Sequence, residues 1–274
     1  MVEGSLSGLH KSPFHGFSVE FTEYREYSAG DDLKNFDWKA YARTDRNYIK
    51  LYEEETNLKC HLLLDVSRSM EYRSRGDLLS KLDYGRYLAA SLAYLLVRQR
   101  DSVGMVAFGD SVGRWIPPRG GAGHLHDLLT VMEEVRPAGR TALAPVLDRL
   151  ADGIKTRGLV ILFSDLLDDP GAVKGALRHF RHNRHEVIVF HLLDPAELRF
   201  PFTGLCNFRD METGQRVELQ PQVFRDEYLA AIEELTSSYR RFASENGIDY
   251  EVVETSIPFE SCLAGYLHRR MGRG

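Results

Sequence analysis

Cysteine is scarce in this 274-residue chain: Cys60, Cys206 and Cys262 are odd in number and far apart. That spacing supplies neither a disulfide framework nor a zinc knuckle, and it suits a reducing compartment. Long apolar runs are missing too. The longest, Leu88 to Val97, is far short of the roughly 20 residues that span a bilayer. No charge sign dominates, since the formal net charge is -5. This argues against a dedicated nucleic-acid binder with a strong basic field. Internal repeats and low-complexity tracts are absent. The opening Met-Val-Glu-Gly-Ser-Leu has neither a basic n-region nor an apolar h-region, so no signal peptide is visible. A cytoplasmic protein is expected, and the abrupt start leaves room for further native residues upstream.

What is present is the balance of a globular protein: 43% hydrophobic and 27% charged residues, enough to bury a core. Residues 1–57 are polar and aromatic. Val19–Tyr24 and Tyr48–Glu54 alternate as half-buried strands do. Gly30, Asp31 and Asp32 suggest a turn and cap before a helical spacing of Leu33, Phe36, Ala40 and Tyr41. A small β-rich lobe is expected, with a charged and aromatic cluster (Arg25, Asp31, Asp32, Asp37, Trp38, Arg43) acting as an ion network around Trp38.

From residue 58 the pattern changes. Cys60–Asp65, Val103–Phe108, Leu159–Phe163 and Val187–Phe190 are continuous apolar runs, the mark of strands covered on both faces. Between them lie helical spacings: Leu88, Leu92, Leu95 and Leu96; Leu125, Leu128, Leu129 and Met132; Leu143, Val146, Leu147 and Leu150. This predicts an α/β fold, a doubly wound and mostly parallel sheet over residues 58–274. Met211–Gly214 signals a hairpin insertion near 200–220, with arms at 205–209 and 216–219. A helix through Tyr228 and Tyr239, a strand at Tyr250–Val253 and a last helix at Phe259–Arg270 complete the reading.

In such sheets ligands bind beyond the carboxyl ends of the strands. The first long run ends in Asp65, Ser67 and Ser69, the third in Ser164 and Asp165, and a loop through Gly139 and Thr141 opens a helix between them. Two carboxylates and several hydroxyls can meet there, and hard oxygen donors suit magnesium. Side chains two apart in an extended loop point the same way, so Ser67 and Ser69 can face one ion. By pattern alone, a strand-end turn whose serines cap the next helix is an equal reading.

Asp-x-Ser-x-Ser after a buried strand, with the later Gly-x-Thr and Ser-Asp, resembles the metal-ion-dependent adhesion site of von Willebrand factor A-like domains. Upstream, Glu20–Arg25, Tyr27, Gly30–Asp32, Asp37-Trp38, Ala42-Arg43 and Glu53–Glu55 resemble the signature of the bacterial domain of unknown function 58 family. That family joins such a segment to such a domain. The resemblance implies a metal ligand set of Asp65, Ser67, Ser69, Thr141 and Asp165. The ion implied is Mg2+, with Mn2+ or Ca2+ as substitutes. Asp165 is followed by Leu166, where such domains commonly carry glycine, and Asp168 is the fallback acid. Arg68, Met70, Arg140 and Asp168 are expected to face a partner that offers an acidic side chain. The partner class implied is a MoxR-type AAA+ ATPase, with this chain as adaptor or co-chaperone-like factor.

Other features read more plainly. Lys174 to His185 is a basic helix end that complements the helix dipole. Arg119–Gly123 lacks the ending of a phosphate loop and reads as a flexible loop near the ion edge. Neither Gly-x-Ser-x-Gly nor His-Glu-x-x-His occurs, so no enzyme is expected. The alternatives are a magnesium-dependent hydrolase or phosphatase using Asp65 as nucleophile, and a structural module with a vestigial site.

Overall fold

The structure, a computed structural model, describes residues 19–28, 36–44, 46–54, 58–137, 139 and 142–271. The described residues divide into two compact units, one ending at Leu58 and one beginning at Lys59.

In the first unit, β1 (Val19–Glu26) pairs antiparallel with β2 (Tyr48–Glu54), and α1 (Trp38–Thr44) lies between them in sequence. The helix starts later than its apolar spacing suggests. Its first turn is capped by Asp37, whose Oδ1 accepts the Lys39 and Ala40 N–H groups at 2.9 and 3.0 Å. Trp38 is 64% exposed. Asp31 and Asp32 lie outside the described residues.

The second unit is built on β3 (Lys59–Asp65), α2 (Lys81–Arg98), β4 (Ser102–Phe108), β5 (Val112–Arg119), α3 (Ala122–Glu134) and α4 (Leu143–Gly153). It continues with β6 (Leu159–Ser164), α5 (Pro170–His182), β7 (Glu186–Leu193) and α6 (Pro195–Arg199). The hairpin β8 (Cys206–Arg209) and β9 (Arg216–Leu219), then α7 (Pro221–Asn246), β10 (Asp249–Glu254) and α8 (Phe259–Met271), complete it. Six strands form one sheet in the order β10-β7-β6-β3-β4-β5. Every pairing in it is parallel except β4 with β5. This is the doubly wound α/β architecture expected from the apolar runs.

Helices cover both faces of the sheet. Leu63, Leu162 and Val189 point into one apolar cluster with Leu147 of α4, Phe180 of α5 and Tyr239 of α7. Leu64, Phe163 and Leu192 face α2, which approaches closely because Gly85 has no side chain: a Cβ there would meet Leu192 at 3.0 Å and Leu64 at 3.3 Å. Strands buried on both sides cannot alternate in polarity, which is why these runs are continuous.

The antiparallel β5 escaped the sequence reading. It is an edge strand containing Pro117 and Pro118, tolerated there because a sheet edge needs no N–H on its open side. Its direction moves the Arg119–Gly123 segment. Arg119 pairs with Val103, at the start of β4, so this loop lies at the amino edge of the sheet and not near the candidate ion edge. Gly121, with φ +96°, precedes α3 there.

Strand order reverses beside β3: the chain leaves β3 for β4 on one side and returns to β6 on the other. The crevice of such a reversal opens at the strands' carboxyl ends. Those ends are Asp65 on β3 and Ser164 on β6.

Candidate metal centre

Asp65 closes β3 with its side chain turned inward and 1% of the residue exposed. Its Oδ1 accepts the Ser67 N–H at 2.9 Å, and its Oδ2 accepts the Ser164 hydroxyl at 2.6 Å. Burial, then the neighbouring charge of Asp165, push its pKa up to about 7 against the pull of those hydrogen bonds.

A short 3-10 turn, Arg68–Glu71, follows the strand. Ser67 stands at its start but makes no side-chain capping bond. Its hydroxyl instead lies 3.0 Å from that of Ser69, and both residues are buried. The capping alternative therefore does not describe Ser67. Two hydroxyls turned toward each other beside a buried carboxylate are arranged as a set of oxygen donors.

Asp165 follows β6. It accepts the Lys81 ammonium at Oδ2 (2.8 Å), the Leu167 N–H at Oδ1 (3.3 Å) and the Ser69 hydroxyl. Burial alone would raise its pKa, but the charge and hydrogen bond of Lys81, with the Ser69 bond, outweigh it and hold the carboxyl below its ordinary value. The next residue, Leu166, is 1% exposed with φ +52°. The turn thus demands the left-handed conformation that glycine adopts freely, and a leucine holds it because its side chain is locked in the core.

His191 fixes the backbone of this turn. Burial lowers its pKa to about 4, so the ring is neutral. Its Nε2–H donates to the Asp165 carbonyl at 2.8 Å, which leaves Nδ1 to accept the Tyr250 hydroxyl at 2.6 Å.

Lys81 and Glu197 were not foreseen. Lys81 opens α2 with its side chain 2% exposed, and its ammonium bridges Asp165 and Glu197 Oε1 at 2.8 and 2.6 Å. A cation in the first turn opposes the helix dipole, and that is the one local sign that Lys81 serves something else. Glu197 belongs to the capping box of α6, its Oε2 accepting the Asp194 N–H.

The structure therefore brings Asp65, Ser67, Ser69 and Asp165 together and adds Ser164. Thr141 and Arg140 lie outside the described residues. Gly139 is described, and a Cβ on it would meet the Asp110 carboxylate at 2.9 Å. Asp168 is engaged elsewhere: its Oδ2 accepts the Ala144 N–H of α4 at 3.1 Å, so it caps that helix. Arg68 is exposed. Met70, expected to face a partner, is fully buried; the tight 3-10 turn rotates it inward, and a partner does not reach it. In the basic helix end, His179 pairs with Asp148 at 3.2 Å and His185 meets the Ile154 carbonyl at 3.2 Å. These histidines do not converge. Among the described residues no group of three or more His, Cys, Asp or Glu is placed to hold a metal.

The donors fit a small hard dication rather than a soft one: carboxylate and hydroxyl oxygens, without thiolate or imidazole. The charge fits as well. Asp65, Asp165 and Glu197, when ionised, outnumber the Lys81 ammonium by two negative charges.

Residues 23–237 match the family described as Protein of unknown function DUF58. The chain belongs to that family. It is 29% identical over 236 residues to the uncharacterized protein Rv1480 of Mycobacterium tuberculosis strain H37Rv, covering 84% of this chain and 73% of that one. In structure it is similar to an aerotolerance-related membrane protein of Bacteroides fragilis, with TM-score 0.53, 16% identity, 79% of this chain and 100% of the other. The conserved hypothetical protein BatB of Bacteroides thetaiotaomicron is comparably similar, with TM-score 0.52, 16% identity and the same coverage. These likenesses are of fold. This DUF58 chain has the doubly wound, mostly parallel α/β sheet expected of it. Among its described residues no helix is long and apolar enough to cross a membrane.

Proposed function

We propose that this DUF58 protein is a metal-dependent protein-binding module rather than an enzyme. Asp65, Ser67, Ser69, Thr141 and Asp165 would hold one divalent cation, Mg2+ or in its place Mn2+ or Ca2+. The observation that carries this reading is the pair of buried hydroxyls, Ser67 and Ser69, 3.0 Å apart beside Asp65 and without a capping role. When bound, such an ion supplies positive charge and an open coordination position for an outside carboxylate. The protein's own residues do the rest. Ser164 and the Ser67 N–H orient Asp65, Lys81 holds Asp165 in place, and His191 anchors the turn that carries Asp165. A partner acid completes the arrangement, so binding needs both the ion and that acid. The family resemblance suggests a MoxR-type AAA+ ATPase as the partner.

The hydrolase alternative is disfavoured by Asp65 itself. A nucleophile needs an oxygen directed at its substrate, whereas both Asp65 oxygens are hydrogen-bonded and the residue is 1% exposed. Calorimetric titration with Mg2+, on the native chain and on Asp65→Ala, tests the site. Heat from the native chain alone supports it, and silence from both leaves only a structural module with a vestigial site. Capture of a purified MoxR-type ATPase with and without chelator tests the partner.

A further inference from the structure

The Lys81 ammonium and a divalent ion held by Asp65, Ser67, Ser69 and Asp165 would share one carboxylate, that of Asp165. We infer that Lys81 is a positioning residue with two effects: its internal cation keeps the site assembled without a metal and weakens the site's hold on one, so that the ion stays where a partner carboxylate is added. The inference rests on the metal-dependent reading above and concerns the regulation of that same site.

The geometry gives Lys81 the place of a resident cation. Its ammonium lies 2.8 Å from Asp165 Oδ2 and 2.6 Å from Glu197 Oε1, and its side chain is 2% exposed. Asp165 also accepts the Ser69 hydroxyl, whose oxygen lies 3.0 Å from that of Ser67. The contacts therefore run unbroken from the ammonium through Asp165 and Ser69 to Ser67. Burial opposes the ammonium's charge, but Asp165 and Glu197 outweigh it and keep it protonated.

The loop carrying the two serines is fastened without an ion. Asp65 accepts the Ser67 N–H at 2.9 Å, and the Lys81 N–H donates to the Tyr72 carbonyl at 3.2 Å. The Ser74 N–H donates to Asp194 Oδ2 at 2.9 Å, and Asp194 shares the capping box of α6 with Glu197. A site held by these bonds does not depend on a metal for its shape.

Charge sets the second effect. A buried ammonium is poorly screened, so it repels a dication more strongly than a surface lysine does. It also attracts an incoming carboxylate. Replacing Lys81 isolates both effects, because the other charges nearby are common to the two chains. These are Asp194 beside Ser74, Arg68 on the exposed turn, and Arg209, Asp210 and Glu212, which line the adjoining cavity with Ser69 and Lys81. Lys81 thus opposes the ion and favours the acid that accompanies it.

The test titrates the full chain with Mg2+ by calorimetry, then titrates the Mg2+-saturated protein with acetate as a stand-in for the partner carboxylate. Lys81→Met should bind Mg2+ at least about tenfold tighter than the native chain and should bind acetate more weakly. Mg2+ should also restore part of the variant's lost thermal stability. Lys81→Arg keeps the charge and should keep both native affinities. A merely structural lysine would behave otherwise, since its loss would loosen the site and weaken both. Native or weaker Mg2+ affinity in a folded Lys81→Met overturns the inference and leaves the metal site standing. If that variant does not fold, the native chain decides. The nitrogen NMR signal of the buried Lys81 ammonium should shift as Mg2+ saturates the site, because Asp165 is then shared. A signal that stays fixed through a complete titration overturns the inference. Mg2+ titrations silent in both the native chain and Lys81→Met remove the metal-dependent reading and this inference together.

Discussion

The Lys81 ammonium lies 2.8 Å from Asp165 Oδ2, and both side chains are about 2% exposed. An internal cation thus holds one acid of the candidate site and ties it to Glu197 on α6. The loop carrying Asp165 is therefore positioned by the protein's own charge.

Removing that charge should be costly. Lys81→Met leaves the buried Asp165 carboxylate, and the partly exposed one of Glu197, without their partner, and stranding a buried charge destabilises by about 3–5 kcal/mol. The urea midpoint should fall accordingly. A midpoint unchanged from the native chain would show that the pair contributes nothing.

Ser67→Ala and Ser69→Ala remove one hydroxyl each from the ion edge, and neither serine side chain caps the following turn. Mg2+ affinity should drop by tenfold or more in both, with the thermal midpoint little changed. Native affinity in both variants would exclude these serines as ligands.

Leu166 supplies a reversal of the usual order. It is buried at φ +52°. Leu166→Ala loses the apolar contacts, at about 2–5 kcal/mol, and keeps a conformation that disfavours a Cβ by roughly 1–2 kcal/mol. Leu166→Gly loses slightly more burial and removes that strain. Glycine should therefore be no more destabilising than alanine in denaturant titrations. A clearly worse glycine variant would mean the turn is unstrained.

His61 predicts a pH dependence. Neither ring nitrogen finds a hydrogen-bond partner, and burial, with smaller effects from His185 and Lys59, lowers its pKa to about 4. The unfolded chain takes up this proton near pH 6.5 and the folded chain only near 4. In that window the unfolded state binds more protons, so stability present above about pH 6.5 is lost as pH falls toward 4. The loss is on the order of 3 kcal/mol. His61→Leu should flatten this decline, as read from unfolding free energies across the window. An identical slope in the variant would assign the decline to other groups, His185 and His191 among them.

Much of the architecture was legible because burial on both faces writes continuous apolar runs. Cys60–Asp65 and Leu159–Phe163 are such runs, and they became β3 and β6. The hairpin was legible from its turn residues. β5 was not, since an edge strand with two prolines and mostly exposed or half-exposed residues carries neither periodicity nor a run. Met70 read as surface because it sits in a polar turn, and only the course of that turn buries it.

The sequence by itself determined the buried strands β3 and β6 and where each ends, because continuous apolar runs are local properties of the chain. Only the tertiary structure decided that Lys81 and Glu197 stand against Asp165, 84 and 32 residues away along the chain. Which charges face each other in a buried space depends on how distant elements converge, and no local pattern encodes that.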